Sequence, residues 1–383
     1  MTFTAIDARG DKVVYRDGKR YLWALSPILA TIPMISLGLY FLTGKSTLTT
    51  LIPFAFIFGV IPIMDAWLGE DFHNPPAEVV AAMEVDPYYA RLAWATVPIY
   101  WLSYLAVAYW IGTQSLPFWS WIVLAVGVGT GDGGGALTVG HELGHKGDKV
   151  NRVFAFLANN LCGYGHFRIE HNRGHHTWVS TPEDPASARY GESIYRFAAR
   201  ELPGAFRRGW LHEAERLQRR GKSAWSIENE ILQGYAFTLV VAAGLIAAFG
   251  LKLAPFIVAH HFIGWYSLTQ ANYVEHYGLL RQKLPNGRYE PVAPRHSWNT
   301  NHIFSNLATF HLQRHSDHHA NPMRPYQSLR DFKDLPRLPS GYPGMFALAA
   351  IPPLWFKVMN PRVTEWAGGD FAKVNAGPPV KVG

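Results

Sequence analysis

Long stretches of the chain contain no Asp, Glu, Lys or Arg. Leu22 to Gly44, Ser46 to Met64, Leu92 to Gly131, Ile231 to Leu251 and Leu253 to Gln270 are all uncharged. The Leu92 run is divided by a turn-like segment, Gly112 to Pro117. A helix needs about 20 apolar residues to cross the hydrocarbon core of a bilayer. The pattern therefore predicts six spans, at roughly 22–43, 48–68, 92–112, 117–140, 231–251 and 254–275. A further apolar stretch, Met345 to Val358, is shorter and holds Pro352 and Pro353, so it is expected at the interface or packed on the bundle. The expected fold class is all-α: a polytopic bundle of six transmembrane helices with polar helical sections on one side.

The first span is too long for a signal peptide and lacks a small-residue cleavage site after it. Arg9, Lys12, Arg16, Lys19 and Arg20 precede it, which predicts a cytoplasmic N-terminus. With six spans, the polar inserts 141–230 and 277–344 and the C-terminus share that side. The opposite loops hold only Lys45 and Lys252 as basic residues. Residues 1–21 read as a cytoplasmic lead-in, 22–359 as the membrane-embedded domain, and 360–383, rich in Gly and Pro, as a flexible tail.

Composition then changes the question. Only 16% of the 383 residues are charged, against about 25% in ordinary soluble domains. The net charge of +7 is explained by anchoring to the cytoplasmic face, and no basic helix or aromatic motif suggests nucleic acid. One cysteine, Cys162, excludes a disulfide framework, a four-cysteine zinc ribbon and an in-chain rubredoxin or ferredoxin centre. The 17 histidines are the excess to explain.

Eight of them form three clusters: His141 and His145; His171, His175 and His176; His315, His318 and His319. Residues three or four apart share a helix face, so each cluster can aim imidazoles at one point. His175 and His176 diverge by about 100° on a helix and can serve two different metals. Imidazole suits Fe, Zn, Cu and Ni. Three clusters exceed one metal's needs, so two metals are the economical reading. His276 ends the sixth span at the same face. His260 and His261, about 24 Å up that helix, read as packing residues. His311 shares the face of His315 and is a candidate neighbour of the centre. His73, His166, His212, His296 and His302 lack such spacing and read as ordinary histidines. Glu142, Glu170, Glu275 and Asp317 adjoin the clusters and are expected to orient imidazoles through the nitrogen that does not ligate.

Three other motifs compete. His141 to His145 satisfies H-E-x-x-H, the zinc-protease signature, but a protease would leave the other two clusters unexplained. Gly129 to Gly134 matches G-x-G-x-x-G without the strand that a dinucleotide fold requires. Close helix packing or a local unwinding is expected there instead. Gly38 to Ser46 fails the P-loop spacing by one residue.

On these residues the chain resembles the integral-membrane alkane 1-monooxygenases (the AlkB family), within the wider membrane desaturase–hydroxylase group. The motifs are HELGHK at 141–146, EHNRGHH at 170–176, LQRHSDHHA at 312–320 and NYVEHYGL at 272–279. The last resembles the motif that separates alkane hydroxylases from fatty-acyl desaturases. The resemblance implies a di-iron centre held by His141, His145, His171, His175, His176, His276, His315, His318 and His319. It implies O2 as co-substrate and terminal hydroxylation of medium- to long-chain n-alkanes to 1-alkanols. It further implies an inner-membrane location and electrons from a rubredoxin, reduced by a rubredoxin reductase. The lone cysteine places that rubredoxin on another chain or beyond the tail. A fatty-acyl desaturase or hydroxylase is the alternative, and an intramembrane zinc protease a more distant one. An n-alkane offers no polar handle, so an apolar channel is expected, lined by spans one, two, three and six. Arg207, Arg208, Arg219, Arg220 and Lys222 are placed to steer an acidic donor.

Overall fold

A computed structural model describes residues 1–377. Fourteen helices build and position the site. They are α1 (Ile28–Thr43), α2 (Ser46–Leu68), α3 (Ala77–Glu84), α4 (Pro87–Thr113), α5 (Phe118–Gly144), α6 (Lys149–Leu161) and α7 (167–178), then α8 (Ile194–Gln218), α9 (Glu230–Phe249), α10 (Ala254–His276), α11 (Ile303–Ala308), α12 (His315–Ala320), α13 (Tyr342–Ala349) and α14 (Pro352–Trp366). All six predicted spans are helical, and their ends follow local chemistry. Asp86 caps α4 by accepting from the Tyr88 amide, and Asn229 caps α9 by accepting from Ile231 and Leu232. Gly44 closes α1 in the left-handed region at φ 65°.

Four helices, α2, α4, α5 and α9, are long and apolar enough to cross a membrane. The first predicted span is shorter than its apolar run. Pro27 precedes the helix, Leu22–Leu25 is only a 3₁₀ turn, and α1 has 16 residues. α10 has 23 residues, but its second half is polar and faces inward. There Thr269 and Asn272 donate to Glu201 of α8, at 2.7 and 3.3 Å.

α5 is the central helix, buried along most of its length and packed on α2, α6 and α10. Its glycines make that possible. A Cβ on Gly133 would lie 2.6 Å from Ser267 Cβ and 2.7 Å from the Gly264 carbonyl oxygen of α10. The helix is continuous there, so packing, not unwinding, is the role of the Gly129 to Gly134 motif. His260 pairs across this contact with Asp132, Nε2 to Oδ2 2.8 Å.

The all-α expectation needs one correction. Residues 1–21 contain an antiparallel hairpin, Thr2–Ile6 with Lys12–Arg16, which rests on α3. Its side chains alternate about the sheet, and Phe3 is buried. The segment from 360 onward is also more ordered than its composition suggests. α14 runs to Trp366, Val374 bridges to Leu279, and the Asn375 amide donates to the Gly278 carbonyl. Burial of Val374 and Asn375 outweighs the flexibility that the Gly and Pro content predicts. Residues 378–383 of the predicted tail lie outside the described residues.

Candidate metal centre

Four pieces of backbone deliver the nine histidines. The end of α5 supplies His141 and His145, α7 supplies His171, His175 and His176, the end of α10 supplies His276, and α12 supplies His315, His318 and His319. α7 is not a plain α-helix. Residues His171–His175 form a π turn, a widened turn that is often found at functional sites.

The rings gather into two groups. His141, His145, His171, His176 and His318 form one; His175, His276, His315 and His319 form the other. Within each group the potential ligand atoms lie within 4.8 Å of one another. The groups are adjacent, with His176 and His319 ring centroids 4.4 Å apart. Each neighbouring histidine pair, 175–176 and 318–319, is divided between the groups, as the 100° divergence requires.

The nitrogen atoms show why a cation fits. His176 Nε2 lies 3.0 Å from His171 Nε2 and 3.1 Å from His318 Nε2. His319 Nε2 lies 2.8 Å from His315 Nε2. Three converging Nε2 atoms cannot satisfy one another with shared protons. The Nε2 atoms of His141, His145, His175 and His276 are buried with no hydrogen-bond partner at all. Burial also pushes His171, His176, His315, His318 and His319 well below the ordinary histidine range. Burial thus favours the neutral form of these five rings, which is the state that ligates metal. A set of imidazoles without a thiolate suits iron, and equally zinc, copper or nickel.

Two of the rings, His276 and His175, are oriented from the Nδ1 side. His276 Nδ1 lies 3.2 Å from the His296 carbonyl oxygen. His175 Nδ1 lies 2.8 Å from Asp184 Oδ2. Asp184 is fully buried and also accepts from Ser187 Oγ at 2.7 Å and from Arg208 Nη2 at 2.7 Å. Burial alone would disfavour both charges. The mutual attraction more than offsets it, raising His175 above and holding Asp184 well below their ordinary ranges.

The carboxylates expected beside the imidazoles take different places. Glu275 Oε2 lies 3.1 Å from His315 Nε2, on the inner side of the second group, and its Oε1 accepts from the Tyr342 hydroxyl at 2.6 Å. Glu170 binds Arg208 and so reaches His175 only through Asp184. Glu142 pairs with Lys146 at 3.5 Å, and Asp317 with Arg324 at 2.7 Å. Arg208, expected on the surface, is drawn into this buried network. His311 faces away from the centre, 3.3 Å from Lys19 Nζ and against Trp23. His166, His296 and His302 bond to Tyr235, Glu290 and Thr300, outside the two groups.

Beside the second group lies a narrow apolar cavity of about 40 Å³. Leu29 of α1, Ile57 and Ile61 of α2, Gly134 of α5, Leu268 of α10 and Tyr342 of α13 help to line it. The fourth span lines it and the third does not, because only the glycine face of α5 lets space persist against α1. Tyr342 joins cavity and centre through Glu275. Asp184 and Tyr342 had no signal of their own in the sequence, since neither falls at helical spacing from a histidine cluster.

The fatty acid desaturase family model matches residues 116–349. The chain is 51% identical to an alkane 1-monooxygenase of Pseudomonas putida over 360 residues, 94% of this chain and 89% of that protein. It is 51% identical to alkane 1-monooxygenase 1 of Alcanivorax borkumensis over 368 residues, 96% of this chain and 91% of that protein. A xylene/toluene monooxygenase hydroxylase component of Pseudomonas putida is 30% identical over 60% of this chain and 61% of its own length.

Proposed function

The chain belongs to the fatty acid desaturase family and, within it, to the alkane 1-monooxygenases, and from that premise we propose that it hydroxylates the terminal carbon of medium- to long-chain n-alkanes. The observation that carries this reading is the convergence of nine imidazoles, seven of them buried, beside a narrow apolar cavity. The two groups would each hold one iron, through the nine histidines. Held there, the metals would supply the activation of O2, so that with two electrons and two protons one oxygen atom enters the substrate C–H bond and the other leaves as water.

The protein's own part is placement and exclusion. An alkane binds only by shape and apolar burial. The cavity between α1, α2, α5, α10 and α13 would admit the chain end, and its walls keep water from the reacting carbon. Tyr342 donates to Glu275 and fixes a carboxylate at the inner end, where the new hydroxyl can be bonded. Asp184 holds His175 with Nδ1–H outward and Nε2 inward. Electrons come from a rubredoxin and its reductase. The six helices α1, α2, α4, α5, α9 and α10 cross the inner membrane, with both termini and the histidine centre on the cytoplasmic side.

The test is product and metal analysis. Protein supplied with rubredoxin, its reductase and octane should yield 1-octanol and contain two irons per chain, one per histidine group. His315→Ala should lose iron and product together. An alkene from an acyl chain would support the desaturase reading instead.

A further inference from the structure

A second concavity, distant in role from the histidine centre, lies between α6, α8 and α9 and encloses about 710 Å³. Two apolar helices fix its height. Gly147 and Lys149 follow directly on the end of α5, and Glu230 and Gln233 begin α9. Both helices are long and apolar enough to span a bilayer, so the groove between their polar ends lies at headgroup level. Neighbouring side chains agree. Trp225 and Ile227, just before α9, are 75% and 89% exposed. Val150 and Val153 of α6 are also bare. Large apolar groups beside the end of a spanning helix mark the membrane interface.

The groove is basic. Lys149, Arg152, Arg168, Arg216 and Arg220 line it against Glu228 and Glu230. Internal pairing consumes part of this charge. Arg152 and Arg168 share Glu230, Arg216 is held by Glu213, and Glu228 is taken by Lys222. Lys149 and Arg220 have no ion pair among the described residues and flank an opening also lined by Val153, Phe156 and Leu157. A free phosphate would use only the cations. An anion that carries an apolar tail uses both linings.

We propose that this groove binds the headgroup of an anionic phospholipid, with Lys149 and Arg220 on its phosphate and an acyl chain against Val153 and Phe156. The proposal rests on reading α5 and α9 as spanning helices. The lipid would come from the cytoplasmic leaflet, where anionic headgroups attract basic segments. Its position gives it a consequence. α6 connects α5, which carries His141 and His145, to α7, which carries three more histidines of the centre. A lipid bridging α6 and α9 braces that connection from outside.

The experiment is native mass spectrometry of the full-length protein in detergent, titrated with phosphatidylglycerol or phosphatidylcholine. Wild type should retain phosphatidylglycerol preferentially. Lys149→Gln combined with Arg220→Gln should weaken that retention about 30-fold, from the usual worth of two basic residues near an anionic surface. Lys252→Gln, at the opposite end of α9, should leave it unchanged. Iron content, equal in all variants, reports correct folding. Equal retention of both lipids, or selectivity surviving in the double variant, overturns the proposal. So does competition by glycerol phosphate at the concentration of the lipid, which would make this a free-phosphate site. Carbonate extraction of cell membranes tests the spanning reading separately, because release into the supernatant would refute the spans without touching the lipid titration.

Discussion

Replacing Asp184 with asparagine should weaken iron binding without changing any ligand. The wild-type carboxylate is fully buried, with His175 Nδ1 and Ser187 Oγ on Oδ2, and Arg208 Nη2 and the Ala186 amide on Oδ1. All four partners are donors when His175 ligates through Nε2. An amide has one acceptor oxygen, so Asp184→Asn satisfies one side and turns an NH2 group toward donors on the other. If the oxygen stays with His175, Arg208 keeps Glu170 but loses a charge-assisted bond of roughly 1.5–3 kcal/mol. If the oxygen turns to Arg208, the His175 ring loses its anchor. Either way the ring faces a neutral group and becomes a poorer donor to metal. Loss of such an orienting partner typically lowers metal affinity about 10–100-fold, or roughly 1.4–2.7 kcal/mol. The assay is iron retained per chain against a rising chelator concentration, with the melting temperature of the metal-free protein measured in parallel. Asp317→Asn is the comparator, since it disturbs Arg324 but no imidazole. Iron retention in Asp184→Asn equal to wild type, or no worse than in Asp317→Asn, would refute the reasoning.

Two further outcomes test the cavity and the helix contact. Gly134 has only Leu29 Cδ1, 3.8 Å away, near the position of an added Cβ, so Gly134→Val should fold normally, fill part of the cavity and shift the product profile in an n-alkane series toward shorter chains or abolish it. Gly133→Ala meets the Gly264 carbonyl at 2.7 Å, so it should spread α5 from α10, lower the melting temperature at a cost of about 1–3 kcal/mol, and reduce iron content by separating His141 from His276.

The parts of the centre that were legible in the sequence were those with a period. Histidines three or four apart must share a helix face, and His175 and His176 must diverge, so eight rings were legible from spacing; His276 has no such spacing, and the division of the nine into two groups depends on how the helices meet. The carboxylates had no such rule. Glu142 and Asp317 were chosen by adjacency to histidines, yet a step of one residue turns a helical side chain by about 100°, and both point to cations instead. Asp184 lies in a loop after α7, where no repeat marks it. Arg208 reads as surface charge because its partners, Glu170 and Asp184, are 38 and 24 residues away along the chain. The N-terminal hairpin has no clean period of two in its residue types, because apolar Ile6 and Val14 fall on its exposed side.

The division of His175–His176 and His318–His319 between the two groups has a thermodynamic consequence. Each pair is joined by a single peptide unit, so the backbone that presents one imidazole to the first group presents its neighbour to the second. Ordering those two segments for one ion leaves less conformational freedom to be lost on binding the next. Occupancy should therefore be cooperative, with singly loaded protein scarce at half saturation. The adjacent histidines would thus couple two bound ions into a single thermodynamic unit.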